Sequence, residues 1–397
     1  MSLGEKLEFS AAEMRRRRAA FGRELERHGT PYALVHGANR SGSAVSWLTG
    51  WPVTREALVV VAPEAEDDVL LVSFFNHVPQ ARRLSATRVE WAGANATATA
   101  LDLMAARGRL PRRIGLAGAL PFDQYRLLAE QIPDVVDLGP AYTGLRLIKS
   151  AEEVAALRHG AALSDAAIAA LADALCPGVT DHEVLARTEQ AYIAQGGWHH
   201  IHYLGITTID ESAPGEPALS ETAPREPAMA VPAQWPTGRV VRPRDVVTCE
   251  ISAAAAPEYA GQVLRTFTVG APATALYGEL HAIAAAAFYA IAQRLIPGTT
   301  ARDLAAAAAV IGQAGFTSID DLVHGFGGGY LPPVVPGDGR PVPAPGFVLA
   351  AGMTVVVQPN VVTRDGRAGV QTGELLLVTD SGPERLHAYP PGLQQVG

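Results

Sequence analysis

Apolar and polar positions along the chain predict two regions that differ in architecture. Apolar residues recur at helical spacing over residues 9–28 and again in "ATALDLMAARG", whereas short apolar runs such as "ALVVV", "VLLV" and "RIGLAG" are typical of strands. Helices that alternate with short strands indicate an α/β domain. We therefore expect a first domain over residues 1–148.

A second region follows, in which long helices precede longer strands. Ser150 with Glu152 and Glu153 behind it marks a helix start, and the apolar positions of "AEEVAALRHGAALSDAAIAALADAL" keep helical spacing. Two more helices are predicted around "DHEVLARTEQAYIAQ" and "LYGELHAIAAAAFYAIAQRLI", and strands near "DVVTCEIS", "VLRTFTVG", "GMTVVVQPNVV" and "GELLLVTD". The sequence thus predicts a second domain over residues 149–397.

The segment between Thr208 and Thr237 differs in composition from both regions. It reads "TIDESAPGEPALSETAPREPAMAVPAQWPT" and is rich in proline, glutamate and serine. Such a composition cannot build a packed core. We interpret the segment as either a lid over a site or a disordered insertion.

Composition and charge narrow the class of protein. The chain has 397 residues, with 32 Lys and Arg against 40 Asp and Glu and a net charge of -8. No basic stripe is present for a phosphate backbone, so nucleic acid is not expected as a partner. The start "MSLGEKLEFSAAEMRRRRAAF" lacks the apolar centre of a signal peptide, and no apolar run approaches the ~20 residues that span a bilayer. With two cysteines, Cys176 and Cys249, no disulfide framework is possible, and we expect a cytoplasmic protein without membrane partners.

The order of the motifs resembles a known family. "LRLIKSAEEVAALRHG", "RPRDVVTCEIS", "GQVLRTFTVG", "DLVHGFGGGY", "AAGMTVVVQPNVV" and "GELLLVTDSGPERL" follow one another as in the second domain of the creatinase, prolidase and aminopeptidase P group. "VSWLTGW" and "TREALVVV" resemble the smaller first domain of the same group. The resemblance implies a creatinase-like N-terminal α/β domain followed by a catalytic domain with the pita-bread fold.

The metallopeptidases of that group hold two divalent ions with two Asp, one His and two Glu. The resemblance carries these five positions, in chain order, onto Glu250, Gln262, His324, Gln358 and Gly373. One carboxylate and two neutral carboxamides compensate a pair of cations poorly. Glu374 would restore a carboxylate only if it shared the face of position 373, and neighbouring strand residues face opposite sides. We predict that no metal or other cofactor is required, and leave open one weakly held ion on His324 and Glu250.

Acid–base chemistry remains available at His324 and Glu250, which we predict to be the catalytic residues. His324 lies in "HGFGGGY", where a histidine that titrates near neutrality can exchange protons beside glycines that allow a ligand to approach the backbone. Creatinase, which the chain resembles, implies a route without metal in which this histidine handles protons. Glu250 could also bind a cationic group or pair with Arg265.

The predicted substrate-binding residues point to a small neutral polar molecule. Amide groups both donate and accept hydrogen bonds, which suits an amide, lactam or urea-like carbonyl. Creatine is disfavoured, because the two glutamates that hold its guanidinium in creatinase correspond to Leu264 and Gln358. In a regular strand, the spacing of the histidines at 200 and 202 places both on one side, which we interpret as either a metal-binding pair or a substrate clamp. The full predicted set is Gln262, Gln358, His200, His202, Tyr203, Tyr330, Arg55 and Glu374.

Arg55 also carries an expectation about assembly. It aligns with an arginine that in creatinase reaches the site of the neighbouring subunit, so the resemblance implies a homodimer. Cys249 adjoins Glu250 on the opposite strand face and is interpreted as a core residue rather than a nucleophile.

The functional hypothesis is a metal-independent hydrolase of a small-molecule C–N bond. Three alternatives stay open from the sequence: a lyase on the same scaffold, a noncatalytic binding protein with a pita-bread domain, and a residual Xaa-Pro-type metallopeptidase. A titrating histidine in the pocket favours an enzyme over a binding module.

Overall fold

The structure is a computed structural model that describes residues 9–39, 44–208, 230–232, 235–337 and 347–397. Most of the segment interpreted as a lid lies outside the described residues. The chain divides into two compact units, one ending at Leu147 and the other beginning at Ile148. Each unit is described by itself.

The first unit is an α/β domain built on one mixed sheet. Its described strands run in the order β4-β3-β2-β1-β5-β6, with antiparallel pairs within β1 to β3 and parallel pairs elsewhere. The helices are α1 (Ala11–His28), α2 (Ala44–Thr49), α3 (Val78–Leu84), α4 (Ala96–Ala106), α5 (Phe122–Gln131) and α6 (Gly139–Leu147). The strands are β1 (Ala33–Ala38), β2 (Glu56–Val61), β3 (Val69–Val72), β4 (Arg88–Trp91), β5 (Arg113–Ala117) and β6 (Asp134–Asp137).

Both faces of this first sheet are covered, which explains its continuous apolar strands. Val35 and Val59 belong to one apolar cluster, whereas their neighbours Leu34 and Leu58 belong to another on the opposite face. A strand that is buried on both sides needs apolar residues at every position rather than at alternate ones. The run "ALVVV" is therefore typical of a central strand.

The second unit combines long helices with a strongly hydrogen-bonded sheet. Its described strands follow the order β11-β10-β12-β15-β9-β8-β7, with β16 beside β15, β17 beside β9, and β13 paired with β14 separately. The helices are α7 (Ala151–Ala174), α8 (Asp181–Ile193), α9 (Ala275–Ala292), α10 (Ala301–Ala307) and α11 (Val310–Gln313). The strands are β7 (Trp198–Thr208), β8 (Asp245–Ala256), β9 (Tyr259–Val269), β10 (Val323–Phe326), β11 (Tyr330–Val335), β12 (Thr354–Val357), β13 (Asn360–Val362), β14 (Gly369–Gln371), β15 (Gly373–Thr379), β16 (Gly382–Arg385) and β17 (Gln394–Val396).

Helix α7 begins where the sequence predicts and packs closely on the sheet. The Ser150 hydroxyl accepts a hydrogen bond from the Glu153 amide, and the Glu153 carboxylate accepts one from the Ser150 amide, which completes a capping box. Gly160 and Gly261 allow the close approach, because a Cβ atom on Gly261 would lie 2.2 Å from the Ala161 backbone. This contact fixes the β8–β9 hairpin against α7.

The two faces of the β8–β9 hairpin have different roles. Val247, Cys249 and Ile251 of β8 belong to the apolar cluster that includes residues of α7 and α8. Cys249 is fully buried there, and burial raises the pKa of its thiol to about 12, which confirms a core role. The intervening residues of β8, among them Glu250, face the opposite side of the sheet. The architecture confirms the predicted α/β class.

Two helices of this unit, α7 and α9, are long and apolar enough to cross a membrane by length and composition alone. Half of the apolar window of α7 is buried inside the protein, and α7 packs on β8 and β9. A core helix that covers a sheet meets the same criterion, and this explains α7. The cytoplasmic location stays a prediction.

Candidate active site

A chain of hydrogen bonds joins four of the predicted site residues on the face of the sheet opposite α7. Gln262 of β9 donates through Nε2 to Glu250 Oε1 at 2.9 Å and to Gln358 Oε1 at 3.0 Å. His324 Nε2 lies 3.2 Å from the same Gln358 oxygen. All four side chains are buried, so the sheet holds Glu250, Gln262, Gln358 and His324 as one polar constellation inside the protein.

Strand pairing explains why residues so distant in sequence meet. Ser252 pairs with Gln262, and Glu250 lies two residues before Ser252 on the same face of β8. His324 of β10 pairs with Val356 of β12, and Gln358 follows Val356 by two. Residues that pair across strands, or lie two apart along one, share a face of the sheet.

Tyr330 extends this constellation toward the surface. Its ring stacks on that of His324 with centroids 4.3 Å apart and planes 20° from parallel. Its hydroxyl donates to Asp321 Oδ2 at 2.8 Å, and Gln358 Nε2 donates to the Asp321 carbonyl oxygen at 3.2 Å. Tyr330 is itself 55% exposed, so it forms a wall of the site that a ligand can contact.

Burial sets the protonation states of the two predicted catalytic groups. Desolvation, with a smaller contribution from the charge of Asp320, raises the pKa of Glu250 to about 8. Desolvation also lowers the pKa of His324 to about 4, against opposing contributions from Gly325, Gln358 and Asp321. Burial therefore favours the protonated form of the carboxyl and the neutral form of the imidazole. The expectation that His324 titrates near neutrality is wrong, because the sequence does not report its complete burial.

Neutral His324 cannot satisfy both of its neighbours at once. Its Nδ1 lies 3.2 Å from the Gly325 carbonyl oxygen, and its Nε2 faces the Gln358 amide oxygen. Both oxygens only accept hydrogen bonds, and a neutral imidazole carries a single N–H. A second proton on the ring would thus find an acceptor already in place.

The prediction that His200 and His202 lie on one face of the strand is wrong. A β-bulge between His199 and Ile201 shifts the register of β7 against β8, so His199 and His202 share one face and His200 takes the other. His202 Nε2 lies 2.8 Å from Glu189 Oε1 of α8, outside the Glu250 constellation. Burial lowers the pKa of His202, opposed by Glu189.

His200 and Tyr203 lie on the side of the constellation. The His200 ring is 5.6 Å from the Phe326 ring, which is itself 5.6 Å from His324. Tyr203 pairs directly with Glu250 across β7 and β8, so the two side chains share a face. Both residues remain candidates for contact with a ligand.

Glu374 lies on the other side of the sheet, and its predicted substrate contact is corrected. It accepts a hydrogen bond from Arg265 Nη2 at 2.8 Å and from both Nε and Nη2 of Arg385. Arg265 thus pairs with Glu374 and not with Glu250. The alternation of strand side chains decides this placement, because Glu374 pairs with Val263 and Gly373 with Leu264.

Arg55 lies in the first unit, exposed, with its guanidinium 5.9 Å from the Phe74 ring. Its predicted part in a neighbouring subunit's site stays a prediction.

Sequence reasoning did not assign roles to Asp320 and Asp321, which set charge and hydrogen bonds around Glu250 and Tyr330. The adjacent acidic pair ahead of His324 in "SIDDLVHG" was the available signal.

The residues present fit a two-metal centre poorly. Gln262 directs its N–H group, not a lone pair, toward Glu250, and the Gln358 oxygen already faces both Gln262 and His324. At position 373 a Cβ atom would lie 2.2 Å from the Val357 carbonyl oxygen and 2.7 Å from Gln358 Cα. The backbone therefore fills the space that a fifth ligand side chain would need.

An α/β domain followed by a pita-bread sheet, with a buried polar centre on the face opposite α7, defines a two-domain protein of the creatinase and prolidase class. Sequence comparison agrees: residues 155–380 match metallopeptidase family M24, and residues 17–148 match the creatinase/prolidase N-terminal domain. The family match covers more than half of the chain. The chain belongs to metallopeptidase family M24.

Individual relatives are more distant. The chain is 28% identical over 256 residues to the probable dipeptidase PepE of Mycobacterium tuberculosis, a match that spans 62% of this chain and 60% of that relative. Its fold is similar to that of the X-Pro aminopeptidase from Thermotoga maritima MSB8, with a TM-score of 0.80, 16% identity, and coverage of 96% of this chain and 99% of the other. The dipeptidase PepE from Mycobacterium ulcerans gives a TM-score of 0.76 at 21% identity, over 98% and 99% of the two chains. At these identities the solved structures support the fold.

Proposed function

We propose that the protein is a hydrolase of the C–N bond in a small amide, lactam or urea-like substrate, and that Glu250 and His324 perform the chemistry without a metal ion. The observation that carries this proposal is the buried hydrogen-bonded constellation of Glu250, Gln262, Gln358 and His324, in which burial raises the pKa of the carboxyl and lowers the pKa of the imidazole. Two titratable groups whose pKa values are pushed apart are typical of an acid and a base assignment.

Glu250 supplies the acid. One of its oxygens accepts from Gln262, so the proton resides on the other oxygen, Oε2. A substrate carbonyl that approaches Glu250 receives a hydrogen bond whose strength grows as negative charge develops on the carbonyl oxygen. Such a donor, held in a dry site, stabilises the tetrahedral intermediate of acyl transfer.

His324 supplies the base. It removes a proton from the attacking water while the water oxygen bonds to the carbonyl carbon, and it then delivers that proton to the leaving nitrogen as the C–N bond breaks. The imidazolium formed between these steps has the Gly325 carbonyl oxygen as an acceptor. Gln358 covers Nε2 in the free protein, so the amide of Gln358 must turn toward the substrate to free it.

The substrate class follows from the polarity of the site. Gln262 and Gln358 offer both donors and acceptors, and Glu250 carries no charge near pH 7. A neutral amide group matches such a surface without leaving an unpaired buried charge. Tyr330 and Tyr203 add flat or polar walls for the remainder of a small molecule, and no cofactor is invoked.

A chelator experiment tests the proposal. Purified protein is treated with a strong chelator, and hydrolysis of small amides, lactams, ureas, N-acyl amino acids and dipeptides is followed by release of amine. We expect turnover in the presence of the chelator and its loss in His324→Ala. Turnover that appears only after Mn²⁺, Co²⁺ or Zn²⁺ is added would contradict the metal-free mechanism.

A metal-dependent dipeptidase is the second candidate, and membership of metallopeptidase family M24 favours it. The similarity to relatives named as dipeptidases also supports this candidate. In that case His324 and Glu250 would be the protein ligands of one ion, since a cation near Glu250 would favour its ionised form. Elemental analysis after dialysis of the wild type and of His324→Ala distinguishes the two candidates: we expect equal metal content in both proteins, and one ion per chain that is lost in His324→Ala would support the peptidase.

A further inference from the structure

Three metal-ligating side chains meet on the face of β7 that is turned away from the Glu250 constellation. Glu189 of α8, together with His199 and His202 of β7, places one ligand atom of each residue within 4.8 Å of the others. His202 Nε2 lies 2.8 Å from Glu189 Oε1, and the two imidazole rings are 4.2 Å apart at 85°. Neither the family comparison nor the proposed function assigns a role to this group.

The local fold builds this cluster specifically. In a regular strand, residues three apart face opposite sides, so His199 and His202 would be separated. The β-bulge at His200 inserts one residue and brings both imidazoles to the side of α8. Glu189 comes from the middle of α8 and is held by a helix that begins with a capping box at Thr180.

The exposure of the three side chains suits a metal that enters from solvent. His202 is 6% exposed and Glu189 45% exposed at the side chain, while His199 is exposed. His202 is thus an ordered anchor, and the other two ligands can adjust around an ion. Among the described residues, the buried Nδ1 of His202 has no hydrogen-bond partner, whereas Nε2 contacts Glu189.

We propose that Glu189, His199 and His202 form a binding site for a divalent transition-metal ion of the Zn²⁺ type. Two imidazoles and one carboxylate are a donor set that Zn²⁺ accepts, and three protein ligands leave a fourth position open. The ion would replace the proton shared between His202 and Glu189. Since the ion ties β7 to α8, it would also fix the bulge that directs His200 toward Phe326.

Zinc titration of the full chain tests this site. Chelator-treated protein is titrated calorimetrically with Zn²⁺ alone, and we expect one well-defined site. Loss of a second-shell partner commonly weakens metal binding by about 10–100-fold, so loss of a ligand in Glu189→Gln or His199→Ala should weaken it by at least tenfold. His200→Ala is the matched control, because the neighbouring histidine faces the other side of the strand and its loss should leave zinc affinity unchanged.

A second control distinguishes zinc binding at this site from zinc binding at the Glu250 constellation. Glu250→Gln and His324→Ala should bind Zn²⁺ at this site as the wild type does. Zinc affinity that falls in those variants and persists in His199→Ala would place the ion at the other centre and overturn the proposal. Equal affinity in every variant, which indicates adventitious binding, would overturn it as well.

A thermal measurement covers the case in which a variant folds poorly. An ion that binds only the native state raises the unfolding midpoint, and the stabilisation grows with the logarithm of the ion concentration relative to Kd. We expect Zn²⁺ to raise the midpoint of the wild type and of His200→Ala. The midpoint of His199→Ala, which removes an exposed side chain and should fold normally, should not respond, and an equal rise there would refute the site.

Discussion

Replacing Glu250 with glutamine should make the protein more stable, and increasingly so as the pH rises. The carboxyl has an ordinary pKa of 4.5, which burial raises to about 8 in the folded protein. The unfolded chain therefore loses its proton at a lower pH than the folded chain. The wild type has its full stability below the unfolded pKa and loses stability as the pH rises from 4.5 toward 8. Glutamine has similar shape and no charge, so it escapes this loss.

The size of the effect follows from the separation of the two pKa values. Each pH unit between them is worth about 1.4 kcal/mol. Between about pH 5 and about pH 8, the stability of the wild type relative to Glu250→Gln should fall by roughly 3–4 kcal/mol. Because the prediction concerns a change with pH, any constant difference in hydrogen bonding between the two side chains cancels.

Denaturant unfolding of both proteins across this pH range measures the difference. Glu374→Gln is the matched control, since it removes a second buried glutamate of the same unit. Burial alone would raise the pKa of Glu374, but hydrogen bonds and charges of Arg385 and Arg265 lower it. Glu374→Gln should therefore destabilise the protein above pH 4.5, with the difference shrinking as the pH falls through the lowered pKa. Parallel pH profiles for the wild type and Glu250→Gln would refute the argument that burial keeps Glu250 protonated.

Three further predictions concern catalysis, packing and assembly. His324→Ala should reduce turnover by about 10²–10⁴-fold. The alkaline limb of the wild-type pH–rate profile near pH 8, where Glu250 loses its proton, should be absent in Glu250→Gln. A limb that survives in Glu250→Gln would show that another group causes the limb. Gly373→Ala should lower the free energy of unfolding by more than about 2 kcal/mol, because the new Cβ would lie 2.2 Å from a backbone oxygen, and a melting midpoint equal to that of the wild type would show that the strand can shift. Light scattering should show a homodimer, and Arg55→Ala should weaken substrate binding, whereas a monomer with unchanged KM would contradict the role implied by the resemblance.

Much of the architecture was readable from local sequence. The predicted strands Ala57 to Val61 and Val69 to Val72 agree with β2 and β3 within one residue, because apolar runs bounded by polar residues specify buried strands. Ser150 with Glu153 marked the start of α7 correctly, since a capping box depends on residues three apart. Glu250 and Gln262 were placed at one centre by the resemblance, and the pairing of Ser252 with Gln262 puts both side chains on one face of the sheet.

Two features of the site depended on the tertiary structure. The β-bulge in β7 exchanged the partners of His199, His200 and His202, and one inserted residue inverts every face assignment beyond it. The pKa values of Glu250 and His324 are set by burial and by Asp320, and burial is a property of the packed sheet rather than of neighbouring residues. The sequence alone therefore determined which groups could act, whereas long-range packing decided which of them meet and which carry a proton.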